Sequence, residues 1–282
     1  MDIELDPSRI RPSVRAWLDE DVGRGDVTTT AVVPADAHAG ARLEAREGFT
    51  LAGLGVAALC FELAGEGTVE WEPGFEDGSA VPEGATIARV SGSLRTILTG
   101  ERTALNVLAR LSGIATLTSR YARAVAGTGA RIVDTRKTTP GLRVLEKYAV
   151  RVGGGSNHRF GLDDGILIKD NHIAAAGGIG PAVRKARANA HHGLRVEVEV
   201  EDLAGLDEAI SAGADTVLLD NMTVPEVTEA VEKAAGRVVL EVSGGMSLDN
   251  VAAYAAAGVD LISVGRLTHS VSSVDVALEV DP

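Results

Sequence analysis

Apolar residues recur at three- and four-residue spacing in three stretches of the first half of the chain. Ile10, Val14, Trp17 and Leu18 mark one face of a helix over Asp6 to Asp21, with Pro7 in its first turn, where a missing N–H costs nothing. Gly55 to Leu63 reads as a second helix, and Leu105, Leu108, Leu111 and Ala115 form a stripe along a third that runs from Thr99 to Val125. Gly113 within that stripe permits a close crossing or a break, while Glu101 and Arg102 face outward at its start. Between Ala31 and Val90, alternating stretches such as Ala41 to Ala45 and Thr86 to Val90 are broken by Gly and Pro, which describes a small α+β layer; Gly23 to Thr30 reads as a turn. This layer carries no phosphate loop, metal cluster or nucleophile motif.

After Ala130 the period changes. Short apolar runs at Ile132 to Val133, Ile166 to Ile168, Val196 to Val200, Val217 to Leu219, Val238 to Val242 and Leu261 to Val264 read as buried parallel strands, with helical segments such as Leu206 to Ala212 and Val224 to Ala235 between them. The related phrases AGADTVLLD and AGVDLISVG are two copies of one helix-to-strand turn. Six strands fall short of the usual eight of a closed (β/α) barrel, so the expectation is an open, incomplete one. The fold class is therefore α/β, with a smaller α+β N-terminal sandwich domain over residues 1–107, to which 267–282 return, and the barrel over 108–266.

Composition and charge narrow the picture. A net charge of −13 argues against a nucleic-acid or membrane-surface partner. Between Arg95 and His172, however, thirteen Lys and Arg stand against six Asp and Glu, a local cationic excess in an acidic chain that reads as a site for polyanions. The single cysteine, Cys60, between Leu59 and Phe61, forms no internal disulfide and suits a reducing cytosol. The first thirty residues carry acids throughout without an apolar core, which predicts no secretory signal, and no run approaches a membrane span, so the expected location is cytoplasmic. His38, His191, His192 and His269 lack a ligand-like arrangement and read as surface or packing residues.

Barrel enzymes place their chemistry at the carboxyl ends of the strands. Here those ends carry Arg136 and Lys137, Lys169, Glu199, Asp220, Ser243 with Gly244 and Gly245, and Gly265. The glycines at Gly153 to Gly155, followed by His158 and Arg159, describe a loop able to approach a ligand closely. The alternation of valine with Glu197, Glu199 and Glu201 places the acids on one face and the valines under the helices. Carboxylates inside a barrel need cations nearby, so the set reads either as a structural lattice of Lys and Glu pairs or as a pocket for phosphate, sugar and Mg²⁺.

The stretches DTRKTTPGLR, GGGSNHRFGLDDGILIKDNH, the Glu199 strand, VLLDNM and EVSGG, in that order between about Leu98 and Gly265, resemble the quinolinate phosphoribosyltransferases of the type II phosphoribosyltransferase family, and GRGDVTT at Gly23 to Thr29 extends the likeness toward the amino terminus. The resemblance implies a pentosyltransferase that joins quinolinate to phosphoribosyl pyrophosphate with loss of CO₂ and pyrophosphate. It implies quinolinate recognition by Arg136, Arg159, His158 and Arg102 of the partner subunit, guanidinium forks being suited to carboxylates. Thr135, Lys137 and Lys169 would serve the phosphates, and Glu199 and Asp220 the ribose hydroxyls and a Mg²⁺ cofactor. Backbone N–H groups of Ser243, Gly244 and Gly245 and of Ser263, Val264 and Gly265 would receive the 5′-phosphate. Lys137, Lys169, Glu199 and Asp220 are the expected catalytic residues, acting by charge and position.

A homodimer with shared sites, or a higher oligomer, is expected as well. The Leu105 to Ala115 stripe has no obvious partner inside a short open barrel, and a symmetric pair would cover it. Two other readings compete. Lys169 at a strand end could form a Schiff base with a carbonyl substrate, which leaves Arg136, Arg159 and SGG without a task. A paralogue of the molybdate-operon kind, or a non-catalytic phosphosugar-binding barrel, would hold an anion without making the mononucleotide; the intact TRK, HR and KDNH sets speak against it.

Overall fold

The computed structural model describes residues 5–65 and 68–281. Contacts divide the chain into two compact units: Met1–Ser119 with Thr139–Gly154 and Ser270–Pro282, and Arg120–Thr138 with Gly155–His269. Residues 108–119 and 139–154, assigned to the barrel on sequence, thus group with the first unit. No helix among the described residues is long and apolar enough to cross a membrane.

The first unit begins with α1 (Pro7–Val22), capped by Asp6, whose carboxylate accepts the Ser8 N–H at 2.9 Å; Ile10, Val14 and Leu18 are its buried face. The stretch expected as a turn holds a helix instead, α2 (Val27–Val32). Asp26 caps it by accepting the Thr29 N–H at 2.9 Å, a start signal that Gly23 and Gly25 just before it obscure. There follow β1 (His38–Ala45), β2 (Phe49–Thr50), α3 (Leu54–Leu63), β3 (Val69–Pro73), β4 (Ala80–Val81), β5 (Thr86–Ser93) and the 31-residue α4 (Leu94–Ala124), about 46 Å long at ~1.5 Å per residue. With few aromatics available, small aliphatic residues fill the core; Phe61 and Trp71 make one ring contact at 5.8 Å. Cys60 is buried among them, and burial pushes its thiol up to about 12.

On α4, Leu105, Leu108, Leu111 and Ala115 are all at most 3% exposed within this one chain. The stripe therefore calls for no second subunit, contrary to the expectation. Gly113 does not break the helix; it admits the segment after the barrel, since a Cβ there would sit 2.2 Å from the Ser272 carbonyl oxygen.

The second unit holds the barrel strands β6 (Arg131–Val133), β7 (Ile166–Ile168), β8 (Val196–Val200), β9 (Thr216–Asp220), β10 (Val239–Ser243) and β11 (Leu261–Ser263). The chain between β6 and β7 passes through α5 (Arg143–Val152), which groups with the first unit. The later crossovers are α6 (Asp170–Ala176) with α7 (Ile179–Asn189), α8 (Leu203–Ala212), α9 (Val224–Ala234) and α10 (Val251–Ala256), and β11 leads into the short α11 (Arg266–His269). All six foreseen strand cores are present. They form one parallel sheet in the order β6-β11-β10-β9-β8-β7, so β6 and β7, consecutive in sequence, lie at opposite edges. The barrel is open along that seam. Ser156 bridges to Val133 there, and β7 as an edge strand has two of its three residues only half-buried.

A last strand, β12 (Val276–Val280), returns to the first unit and pairs with β1 in an antiparallel sheet ordered β12-β1-β5-β3, while β2 pairs with β4. Of the three glycines expected to approach a ligand, Gly153 is a packing residue: a Cβ there would meet the Ala115 carbonyl oxygen at 2.5 Å and the Thr118 Cβ at 2.7 Å.

Gly113→Ala should destabilise the protein by roughly 1–3 kcal/mol, because a helix backbone has nowhere to move from a facing carbonyl. Gly55→Ala in α3, where a Cβ meets nothing within 4 Å, should be neutral or stabilise by up to about 1 kcal/mol. Denaturant midpoints check both, and equal midpoints for the two variants would refute the close-approach reading.

Candidate active site

The carboxyl ends of the six strands surround a cavity of about 960 Å³ whose lining comes wholly from the second unit. At the end of β6, Asp134 is fully buried, and its carboxylate accepts the Asn157 Nδ2 at 2.5 Å and the His158 N–H at 2.9 Å. That anchor holds residues 156–159 beside β6 across the seam. Thr135, Arg136 and Lys137 follow into the cavity, where the Thr135 hydroxyl accepts the Lys137 N–H at 3.0 Å and the Lys137 carbonyl accepts the Thr268 hydroxyl at 2.8 Å.

Arg159 donates from Nη1 to the Gly165 carbonyl at 2.9 Å, which fixes one side of its guanidinium. Its Nε is buried without a partner, and so is the Nε of Arg136. Burial, and next the charge of Arg136, pull the Arg159 guanidinium below its ordinary value, with Glu197 and Asp164 acting in the opposite direction. Two cations are thus held within each other's field, each with an unmet donor.

His158 lines the cavity but spends both ring nitrogens inside the protein. Its Nδ1 accepts the Arg159 N–H at 2.7 Å, and its Nε2 lies 3.0 Å from Glu197 and 3.7 Å from Glu241. The ring is thereby held between the Arg159 backbone on one side and two carboxylates on the other. His158, Glu197 and Glu241 bring their donor atoms within 4.8 Å of one another.

The acids of β8 alternate as expected and rise in exposure along the strand: Glu197 is buried, Glu199 half-buried and Glu201, just past the strand, exposed. Val196, Val198 and Val200 are at most 3% exposed on the other face. Glu199 pairs directly with Lys169 from the end of β7. Asp220 at the end of β9 is raised above the usual carboxylate range by burial and then by Glu199, with Lys169 opposing. Asn221 next to it adopts a left-handed backbone, φ 56°, and donates to the Asp220 carboxylate at 2.7 Å. Gly244 makes room for that side chain, since a Cβ would lie 2.2 Å from the Asn221 Oδ1. Both Gly244 and Gly245 have positive φ, so the SGG turn after β10 needs glycine twice. Ser243, Ser263 and Gly265 complete that side of the cavity, while Val264 is 1% exposed and does not line it.

Arg102 is exposed on α4 in the first unit and lies outside the lining. The sequence reading missed several residues that do line it. His269, expected as a surface or packing residue, and Arg266 reach the cavity from α11. Glu241 is a wall residue too; counting back two from Ser243 along a strand of period two would have found it. Leu167, Leu218 and Met246 supply the apolar part and carried no signal beyond hydrophobicity.

Comparison with known proteins agrees with the motifs. Residues 26–112 match the quinolinate phosphoribosyl transferase N-terminal domain, and residues 114–279 match the C-terminal domain of the same family. Among curated relatives, the nicotinate-nucleotide pyrophosphorylase [carboxylating] of Mycobacterium leprae is 45% identical over 99% of both chains. A probable enzyme of that name from Bacillus subtilis is 44% identical over 93% of this chain and 90% of its own. The solved nicotinate-nucleotide pyrophosphorylase of Francisella tularensis superposes with a TM-score of 0.94 at 40% identity, covering 100% of this chain and 99% of that one. With both domains matched and relatives of this identity aligned from end to end, the chain belongs to the quinolinate phosphoribosyl transferase family.

Proposed function

We propose that this enzyme transfers the phosphoribosyl group of phosphoribosyl pyrophosphate to quinolinate with decarboxylation, giving nicotinate mononucleotide, CO₂ and pyrophosphate in NAD biosynthesis. The observation that carries the reading is the Arg136 and Arg159 pair: two guanidinium groups in mutual repulsion, each with a buried, unmet Nε–H. A planar dianion with adjacent carboxylates answers both donors and removes the repulsion. The neighbouring imidazole, whose Nδ1 accepts the Arg159 N–H, serves as a brace under Arg159.

Lys137 and Lys169, both exposed at strand ends, supply point charges for phosphates, and the turns Ser243–Gly245 and Ser263–Gly265 offer backbone donors to the 5′-phosphate. Glu199 and Asp220 stand close enough for one to raise the other's pKa, and such paired hard oxygens at a half-buried rim fit Mg²⁺. When bound, Mg²⁺ supplies charge neutralisation to the departing pyrophosphate. The same carboxylates favour the positive charge that grows on the ribose as its bond to pyrophosphate loosens. Once the pyridine nitrogen is quaternary it withdraws electrons from the adjacent carbon, so CO₂ leaves without a separate cofactor. A Schiff-base role for Lys169 would leave the arginine pair without a task.

Arg102 is proposed to act in the site of a partner subunit in a homodimer, a reading supported by its exposure and by the family likeness. A cytoplasmic location is proposed from the single, buried, unpaired Cys60.

Purified protein given quinolinate, phosphoribosyl pyrophosphate and Mg²⁺ should release CO₂, and nicotinate should be a poor substrate because one arginine would face no anion. Equal turnover of nicotinate would reject the assignment. Arg159→Ala should raise the KM for quinolinate roughly 10- to 150-fold, the equivalent of about 1.5–3 kcal/mol, and leave that for phosphoribosyl pyrophosphate nearly unchanged. Lys137→Ala and Lys169→Ala should do the reverse.

Arg102→Ala and Lys169→Ala proteins should each be nearly inactive, and exchanging their subunits should restore activity, since a heterodimer confines both lesions to one site. If native mass spectrometry shows heterodimers and activity stays absent, Arg102 does not act across subunits.

A further inference from the structure

Among the described residues, only two that are not glycine adopt a left-handed backbone: Ala235, which closes α9, and Asn221 at φ 56°, which follows β9 on the wall of the cavity. Such a φ crowds any Cβ; asparagine bears it better than most residues, and glycine bears it freely. A turn alone is therefore served at least as well by glycine as by asparagine. What distinguishes Asn221 is what its side chain touches.

The amide Nδ2 donates to the Asp220 Oδ2 at 2.7 Å. The other arm of the same amide faces Gly244, where a Cβ would lie 2.2 Å from Oδ1 and 2.7 Å from Cγ. The main-chain N–H of Asn221 donates to the Ser243 carbonyl at 3.0 Å, extending the pairing of β9 with β10 in which Asp220 stands opposite Ser243. One residue thus ties the end of β9 to the start of the Ser243–Gly245 turn.

Both partners need holding. Rotation about the last bond of an aspartate is only loosely restricted, and Glu199 places a like charge beside the Asp220 carboxylate. An amide donor on one oxygen sets that rotation and leaves the other oxygen to a hydroxyl of the ligand. Gly244 and Gly245, at φ 100° and 60°, have no side chains to restrict them, and the Asn221 side chain fills the space on one side of Gly244. A turn that receives a phosphate through its N–H groups gains affinity when those groups are fixed beforehand.

We propose that Asn221 is a positioning residue for the phosphoribosyl half of the reaction: it orients the Asp220 carboxylate toward the ribose hydroxyls and buttresses the turn that receives the 5′-phosphate. The proposal rests on the reading of Asp220 and the Ser243–Gly245 turn as the phosphoribosyl subsite. The partners of Asn221 all belong to that half, so quinolinate affinity is left to Arg136 and Arg159.

Three variants separate the side chain from the turn. Asn221→Gly keeps the backbone and its N–H but removes the amide, Asn221→Asp keeps the shape and exchanges the donor for a charge, and Asn221→Ala removes the amide and adds backbone strain. Asn221→Gly should melt at or near the native temperature and raise the KM for phosphoribosyl pyrophosphate about 3- to 12-fold, the range of one net hydrogen bond, with the quinolinate KM within about twofold of native. Asn221→Asp should raise the former at least as much, and Asn221→Ala should add a lower melting temperature to the same change. Calorimetric titration of phosphoribosyl pyrophosphate into Asn221→Gly without quinolinate should show the same loss in Kd. A native KM and Kd for phosphoribosyl pyrophosphate in Asn221→Gly would overturn the proposal, because asparagine would then serve the turn alone. Equal rises in both KM values, or an Asn221→Asp protein indistinguishable from native, would overturn it too, and these two variants decide the matter even if Asn221→Ala failed to fold. If Asp220→Ala left the KM for phosphoribosyl pyrophosphate unchanged, the functional reading of Asp220 would fall and the positioning role with it. A large Asp220→Ala effect beside native behaviour in Asn221→Gly would sink the positioning role alone.

Discussion

Two guanidinium groups that repel each other must be held in place by something other than each other, and much of the second unit is arranged to do so. Arg136 follows β6, whose end is fixed by the buried Asp134. Arg159 is tied on one side to the Gly165 carbonyl and through its own N–H to His158. The same Asp134 carboxylate accepts from Asn157 and His158, so a single buried acid fixes both segments at once. Losing an acceptor of this kind leaves two donors unmet in a buried place, a cost of about 1–3 kcal/mol for each. The repulsion is kept at the site as potential for binding an anion.

That local cationic character arises in a chain with a net charge of −13. Depth resolves the contradiction. The exposed acids elsewhere are screened by water and salt over about 10 Å, whereas the arginines lie where the medium is less polarisable and their field is felt more strongly. The carboxylates inside the barrel are graded likewise: Glu199 at the rim has Lys169 as a partner, while Glu197 and Glu241 lower down lie beside His158.

The strands and the charged ends were legible in the sequence because they depend on local periods. Short runs of two to five residues located all six barrel strands, and counting to each run's end located Arg136, Lys137, Lys169, Glu199 and Asp220 in one cavity. What escaped depends on the third dimension. Asp26 as a helix cap was masked by neighbouring glycines. The Leu105 to Ala115 stripe looked unpartnered because its cover comes from elements distant in sequence, and Gly153 looked like a ligand loop because nothing local announces the α4 carbonyl against which it packs. Glu241 sits in a run of apolar residues, where its neighbours hid it and only its pairing with Glu197 gives it meaning.

A parallel sheet that fails to close has two free borders, each a row of unpaired amide and carbonyl groups onto which a foreign strand could add. In this chain those borders are β6 and β7, and each is three residues long. Ser156 already occupies part of one by bridging to Val133, and Lys169 and Asp170 follow directly on the other with charge. Short, partly capped and charged borders are poor templates for edge-to-edge association. The open seam is thereby kept from becoming a seed for aggregation.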